Sequence, residues 1–369
     1  MCTSVSFVTK DHYFGRNLDL EFSYHETVAV TPRNKAFAFR HEDATQKHLA
    51  MIGMAFVVDD YPLYYDATNE KGLSIAGLNF PGNACYGEPV EGKHNVASFE
   101  LIPWLLSSCE SVAEARLLLE NTNITDDSFS PELPPATLHW MIADQKESIV
   151  FEQTQSGGKV YDNPVGVMTN NPTFDYQMLH LQDYMTCSPD GPVNKIAAGV
   201  DFSPYSRGMG GIGIPGDLSS ASRFVKVAFT KMNSLAGELI AGDSLAEGAG
   251  AGNASGGAPS VDESSVGASL AGGACVSATE SASISQFFKI LGSVEQQKGC
   301  CRLGVDAAGN PICEYTIYSS CCNIDKGIYY YTTYENSQIS AVNMHHEDLD
   351  GESVIVYELI KGQQIREQN

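Results

Sequence analysis

The chain has 369 residues, 43% of them apolar and only 18% charged, a globular composition with enough apolar surface for a full core. Its 22 Lys and Arg stand against 45 Asp and Glu, a formal net charge of -23. That balance excludes nucleic acid and anionic lipid as charge-held partners, and it obliges any site for an anion to supply a local cation.

The opening segment reads as strand, with Val5, Phe7 and Tyr13 at inward-facing spacing around a turn at Lys10-Asp11. Residues 27–31 alternate around Val28 and Val30, and residues 73–78 form a short apolar run. Ser111-Val112-Ala113-Glu114 is a capping box ahead of Ala115, Leu118 and Leu119, so a helix starts there. Residues 138–143 and 148–152 are two strands joined by the polar turn 144–147, a hairpin. Ser220 or Ser222 is a candidate cap for a helix carrying Phe224, Val227 and Ala228. Residues 236–283 are rich in Gly, Ala and Ser and almost free of aromatics. Such a stretch buries too little apolar surface to offset its ordering entropy. It is read as a flexible insertion between helices at 224–233 and 284–291, within one domain spanning 2–369. Strand returns at 315–318, 328–333, 338–342 and 354–359, and the run Tyr329-Tyr330-Tyr331 suits a half-buried pleated surface. Strands in runs, interrupted by helices, predict an α+β fold with mostly antiparallel sheets.

No eighteen-residue apolar run is present, and Met1-Cys2-Thr3-Ser4 lacks the basic and apolar regions of a leader, so a cytoplasmic location is expected. Ten cysteines in such a chain are expected to stay reduced. The adjacent pairs Cys300-Cys301 and Cys321-Cys322 present no C-x-x-C chelate, and no metal is expected.

Five local features carry chemistry. Cys2 follows the initiator Met, which is removed when the next residue is small. An α-amine and a thiol on one Cα have reference pKa values of about 8 and about 8.5, so the amine can serve as the thiol's general base. In Phe14-Gly15-Arg16-Asn17-Leu18-Asp19, Arg16 offers a fixed cation and Asp19 a partner for the α-ammonium. Leu78-Asn79-Phe80-Pro81 and Met168-Thr169-Asn170-Asn171-Pro172 each set an Asn beside a turn, where it can donate to an oxyanion. Ser220-Ala221-Ser222-Arg223-Phe224 puts Arg223 at a helix start, against the helix dipole.

These features, in this order, resemble the choloylglycine hydrolase family of bile salt hydrolases and penicillin V acylases. So do Asp59-Asp60-Tyr61-Pro62, Asn69-Glu70-Lys71-Gly72-Leu73, Thr137-Leu138-His139-Trp140-Met141, Gly216-Asp217 and the run from Lys326 to Asn336. The resemblance implies a four-layer αββα N-terminal-nucleophile hydrolase sandwich, a homotetramer, and no metal or cofactor. It implies Cys2 as nucleophile, Arg16 and Asp19 as its positioners, Asn79 and Asn170 as the oxyanion hole, and Arg223 as electrostatic support; Asn171 receives no role. Asn79 resembles the bile salt branch, where penicillin V acylases more often carry Tyr. The implied substrate is a glycine or taurine conjugate of a bile acid, cleaved through a Cys2 thioester. A penicillin V acylase-type amidase, or acyl transfer to other amines, is the alternative; a silent binding protein would have no use for so many charged site residues. Leu20, Phe22 and Tyr24 are candidates for the steroid pocket or, equally, for the core. Arg207, in Ser206-Arg207-Gly208, is a candidate partner for the carboxylate or sulfonate of the leaving amino acid.

Overall fold

The computed structural model describes residues 1–235 and 277–369. The chain opens with the hairpin β1 (Cys2–Val8) and β2 (His12–Leu20), turning at Lys10-Asp11 as expected. It then crosses to β3 (Thr27–Thr31), β4 (Met51–Val58), β5 (Tyr61–Asn69) and β6 (Ser74–Asn79). A small parallel pair, β7 (His94–Ala97) with β8 (Thr122–Thr125), brackets α1 (Leu101–Ser108) and α2 (Val112–Leu119). Next come β9 (Leu138–Ala143), β10 (Ser148–Thr154), β11 (Gly157–Asp162) and the two-residue β12 (Val167–Met168). The helices α3 (Phe174–Leu181), α4 (Ser220–Asn233) and α5 (Ala278–Gly292) follow. The chain finishes through β13 (Cys301–Val305), β14 (Pro311–Asn323), β15 (Ile328–Thr333), β16 (Asn336–Asn343) and β17 (Ile355–Glu358).

Two large sheets result. One runs β12-β1-β2-β14-β15-β16, with β13 added on β14; the other runs β11-β10-β9-β6-β5-β4-β3-β17. Every pair within them is antiparallel. α4 and α5 cover the first sheet, and α1 and α2 cover the second, with the sheets facing each other between. This is the α+β, mostly antiparallel arrangement that the order of elements predicts. Both faces of the central strands are therefore buried, and alternation splits each strand between two cores. In β9, Met141 and Ala143 join the core that includes the inter-sheet space, while Trp140 and Ile142 join the core under α1 and α2. For the same reason Tyr329, Tyr330 and Tyr331 are all buried, where a half-buried surface was expected.

Caps set the helix starts. The Ser111 hydroxyl accepts the Glu114 N–H at 3.3 Å, as the capping box requires. α4 starts after Ser219, whose hydroxyl donates to Ser222 Oγ and caps no backbone N–H, while Ser220 and Ser222 turn their hydroxyls to Thr169 and Asp217. α5 begins at Ala278, earlier than apolar spacing suggests, because the Ser277 hydroxyl caps it by accepting the Glu280 N–H at 3.2 Å. Residues 278–283 of the expected insertion are thus helical, and 236–276 lie outside the described residues. Among the described residues no helix is long and apolar enough to cross a membrane, and nine cysteines are free thiols.

Candidate active site

The register of the first hairpin creates the site. Cys2 pairs with Leu18 and Ser4 with Arg16, so Cys2 and Arg16 share one face of the sheet while Thr3 and Asp19 take the other. The first face meets the second sheet: Arg16 Nη1 donates to the carbonyls of Tyr65 at 2.9 Å and Gly77 at 2.5 Å, on β5 and β6. Gly15 lies where β14 passes close by, since a Cβ there would collide with the Ser320 carbonyl. The second face meets the helical layer, where Arg223 Nη1 donates to Thr3 Oγ1 and to the Cys2 carbonyl, each at 2.6 Å. Two fully buried guanidiniums therefore flank the start of the chain from opposite sides.

Asn170 links them. Its Oδ1 accepts the Cys2 N–H at 2.6 Å and Arg223 Nη2 at 2.8 Å, while its Nδ2 donates to the Asn79 carbonyl at 2.7 Å. Behind it, the Asn170 N–H donates to Ser220 Oγ at 2.8 Å, which fixes the segment to the start of α4. The Asn79 side-chain amide makes no hydrogen bond among the described residues. Asn171 is turned away, donating to the Pro81 carbonyl at 2.7 Å.

Burial dominates the electrostatics. It raises the Asp19 carboxyl above the usual carboxylate range and lowers the Arg223 guanidinium, each opposed chiefly by the other, with Arg223 Nη1 4.0 Å from Asp19 Oδ2. Burial also pulls on Arg16, but Cys2, then Tyr318 and Asp66, hold it above its ordinary value. Asp66 itself, raised by burial, accepts the hydroxyls of Tyr318 at 2.8 Å and Tyr329 at 2.6 Å.

In the chain as described, Met1 precedes Cys2. Its ammonium pairs with the Glu314 carboxylate and donates to the Asp19 carbonyl at 2.6 Å. The Asp19 carboxylate, expected beside the α-amine, instead accepts Thr316 Oγ1 at 2.6 Å and Gln296 Nε2 at 3.2 Å. The alternation of β2 decides this, because Asp19 points to the helical layer. A cavity of about 330 Å³ opens here, walled by Met1, Leu20, Glu21, Asn79, Asn170 and Glu314 among others. Of the expected pocket residues only Leu20 lines it. Phe22 and Tyr24 form an exposed aromatic pair, with ring centroids 4.8 Å apart, just past the end of β2. They are not core residues. Arg207 is exposed on the long segment between α3 and α4, away from the cavity wall. Glu314, Gln296 and Thr316 escaped sequence reasoning, since strand pairing and the turn after α5 bring them here and no local motif marks them; Ser220, read as a helix cap, instead holds the Asn170 N–H.

Comparison with known proteins decides the family. The model for linear amide C-N hydrolases, choloylglycine hydrolase family, matches residues 2–238 and 274–357. The chain belongs to the choloylglycine hydrolase family. A bile salt hydrolase/transferase of Lactiplantibacillus plantarum is 48% identical over 97% of both chains. A second protein of that description, from Clostridium perfringens, is 35% identical over 98% of both. The C2A mutant of the conjugated bile acid hydrolase from Clostridium perfringens superposes over 100% of both chains, with a TM-score of 0.78 at 34% identity. Penicillin V acylase from Agrobacterium tumefaciens shares the fold, with a TM-score of 0.65 at 16% identity over 97% of this chain and 91% of that one. The family break at 239–273 falls within the insertion expected from composition.

Proposed function

We propose that this chain hydrolyses the amide bond of glycine- or taurine-conjugated bile acids, with Cys2 as nucleophile after Met1 is removed. The observation that carries the reading is the setting of Cys2: a thiol on the second residue, its nitrogen held by Asn170 and flanked by two buried guanidiniums, in a family of amide hydrolases. In the mature chain the Cys2 nitrogen becomes a free amine, already seated on Asn170 Oδ1. That amine takes the thiol proton as Sγ attacks the amide carbon, and passes it to the departing nitrogen as the C–N bond breaks. Water, activated by the same amine, then opens the thioester and restores the thiol. The free Asn79 amide and the second Nδ2 hydrogen of Asn170 are the donors for the oxyanion. Arg16 and Arg223 supply fixed positive charge near the thiolate, and Asp19 balances Arg223.

Leu20 begins the apolar wall for the steroid, and the exposed Phe22–Tyr24 pair extends it. Arg207 is retained as a partner for the leaving group only where a second subunit or loop closure brings it inward. The exposed Val193, Ile196, Phe202 and Tyr205 near it in sequence favour an interaction surface, and the family resemblance adds a cytoplasmic homotetramer to the proposal. Light scattering tests this, a mass four times that of the chain being the expected result.

The experiment for the function itself is release of glycine and taurine from the conjugates, with penicillin V alongside, for wild type and Cys2→Ser. Mass spectrometry verifies loss of Met1 in each. Fast release from the conjugates, abolished in Cys2→Ser, is expected. Release from penicillin V alone would transfer the reading to the acylase branch.

A further inference from the structure

A buried hydrogen-bonded His–Glu pair lies behind the Asn170 segment. His139 on β9 and Glu152 on β10 are 1% and 0% exposed. Glu152 Oε1 lies 3.0 Å from His139 Nδ1 and accepts the Phe174 N–H, also at 3.0 Å. His139 Nε2 lies 2.7 Å from the Thr169 carbonyl oxygen. A carbonyl only accepts, so His139 Nε2 donates to Thr169 while Nδ1 faces the Glu152 carboxyl group. Phe80 stacks flat on its ring, with centroids 4.1 Å apart at 7°.

Phe80 follows Asn79, and Thr169 precedes Asn170. One imidazole therefore touches the chain neighbours of both Asn residues, and the bond from Asn170 Nδ2 to the Asn79 carbonyl closes the ring of contacts. We propose that His139 and Glu152 are positioning residues that set the placement of Asn79 relative to Asn170. The inference rests on the reading of those two residues as oxyanion donors. Stability alone is a poor account of the pair, since a well-packed apolar pair of similar volume generally serves as well or better. What the hydrogen-bonded pair adds is direction: Glu152 orients the ring, and the ring fixes the Thr169 carbonyl on one side and the Phe80 plane on the other. A displacement of even one ångström at such a site is enough to slow turnover greatly.

Steady-state kinetics and thermal unfolding of three variants test this. H139Q/E152Q keeps a donor to the Thr169 carbonyl and an acceptor for the Phe174 N–H, without charge; its kcat should stay within about threefold of wild type. H139F/E152L keeps the ring on Phe80 and fills the space, but loses both hydrogen bonds. It should fold with kcat lower by about 10²-fold and KM little changed. Phe80→Leu removes the stack and serves should the apolar pair fail to fold; it should lower kcat by roughly tenfold at constant KM. Wild-type kcat in folded H139F/E152L, or in Phe80→Leu, would overturn the proposal, as would equal loss in the two double variants. All are measured on whichever amide the wild type cleaves. Failure of the bile-conjugate reading would show in the wild type itself, and failure of this one only in the variants.

Discussion

Among the described residues two cavities of similar size lie at opposite ends of β1, about 330 Å³ beside Met1 and Asn170 and about 300 Å³ beside Ser6. Cys2, 1% exposed, follows Met1 at the first, and Ser6 lines the second. At the far end Ser6 Oγ sits 2.6 Å from His12 Nε2, the contact a hydroxyl nucleophile and its base would make. Yet burial pushes His12 down to about 4, with Lys231 adding to the effect and Asp144 opposing it, and His12 Nδ1 has no partner among the described residues. An imidazole so depressed holds a proton poorly, and no third group orients it. At the near end the charges are guanidiniums, which stay protonated when buried, and each is tied by hydrogen bonds to backbone or to Asn170. Proximity of a nucleophile and a base is therefore not enough; what matters is which ionic forms survive burial.

The comparison can be broken, most severely at Arg223. Arg223→Ala leaves Asp19 buried without its principal cation, and a loss of about 3–5 kcal/mol of stability is expected. Adding Asp19→Asn should restore part of it. Equal urea midpoints for wild type and Arg223→Ala would mean that the near cluster is not held by charge.

His12 gives a smaller, pH-dependent effect at the far end. Its folded value of about 4 lies below the ordinary 6.5, so between these the unfolded chain binds the extra proton. The contribution of neutral His12 is complete above pH 6.5 and is lost as pH falls towards 4, at up to about 1.4 kcal/mol per pH unit. His12→Gln, which keeps a partner for Ser6, should flatten the stability difference between pH 5 and pH 7. An unchanged slope would show that His12 titrates alike in the folded and unfolded chain.

Ser6→Ala should do least. It removes no interaction formed in the transition state, so kcat/KM should remain within about twofold of wild type. A tenfold drop would mean that the second cavity takes part in turnover.

The capping box at Ser111, the hairpin of β9 and β10, and the strands of the C-terminal third were legible because each rests on neighbours in sequence. The partners of Asp19 were not. Thr316 lies opposite it across β14, 297 positions away, and Gln296 approaches from the segment after α5. Phe22, Tyr24 and Arg207 were legible as residue types but not as places, since nothing local distinguishes a side chain lining a cavity from one left in solvent.

By itself the sequence determined the α+β class, the family through its ordered motifs, and Cys2 as the residue that Met1 removal would expose. Those depend on periodicity, turn chemistry and residue identity, all local properties. Only the tertiary structure decided which face of β2 carries Arg16 and which Asp19, that Asn170 accepts the Cys2 N–H, and that His139 touches the neighbours of both Asn residues. These follow from strand register and sheet stacking, in which a shift of one residue would turn every side chain to the opposite layer.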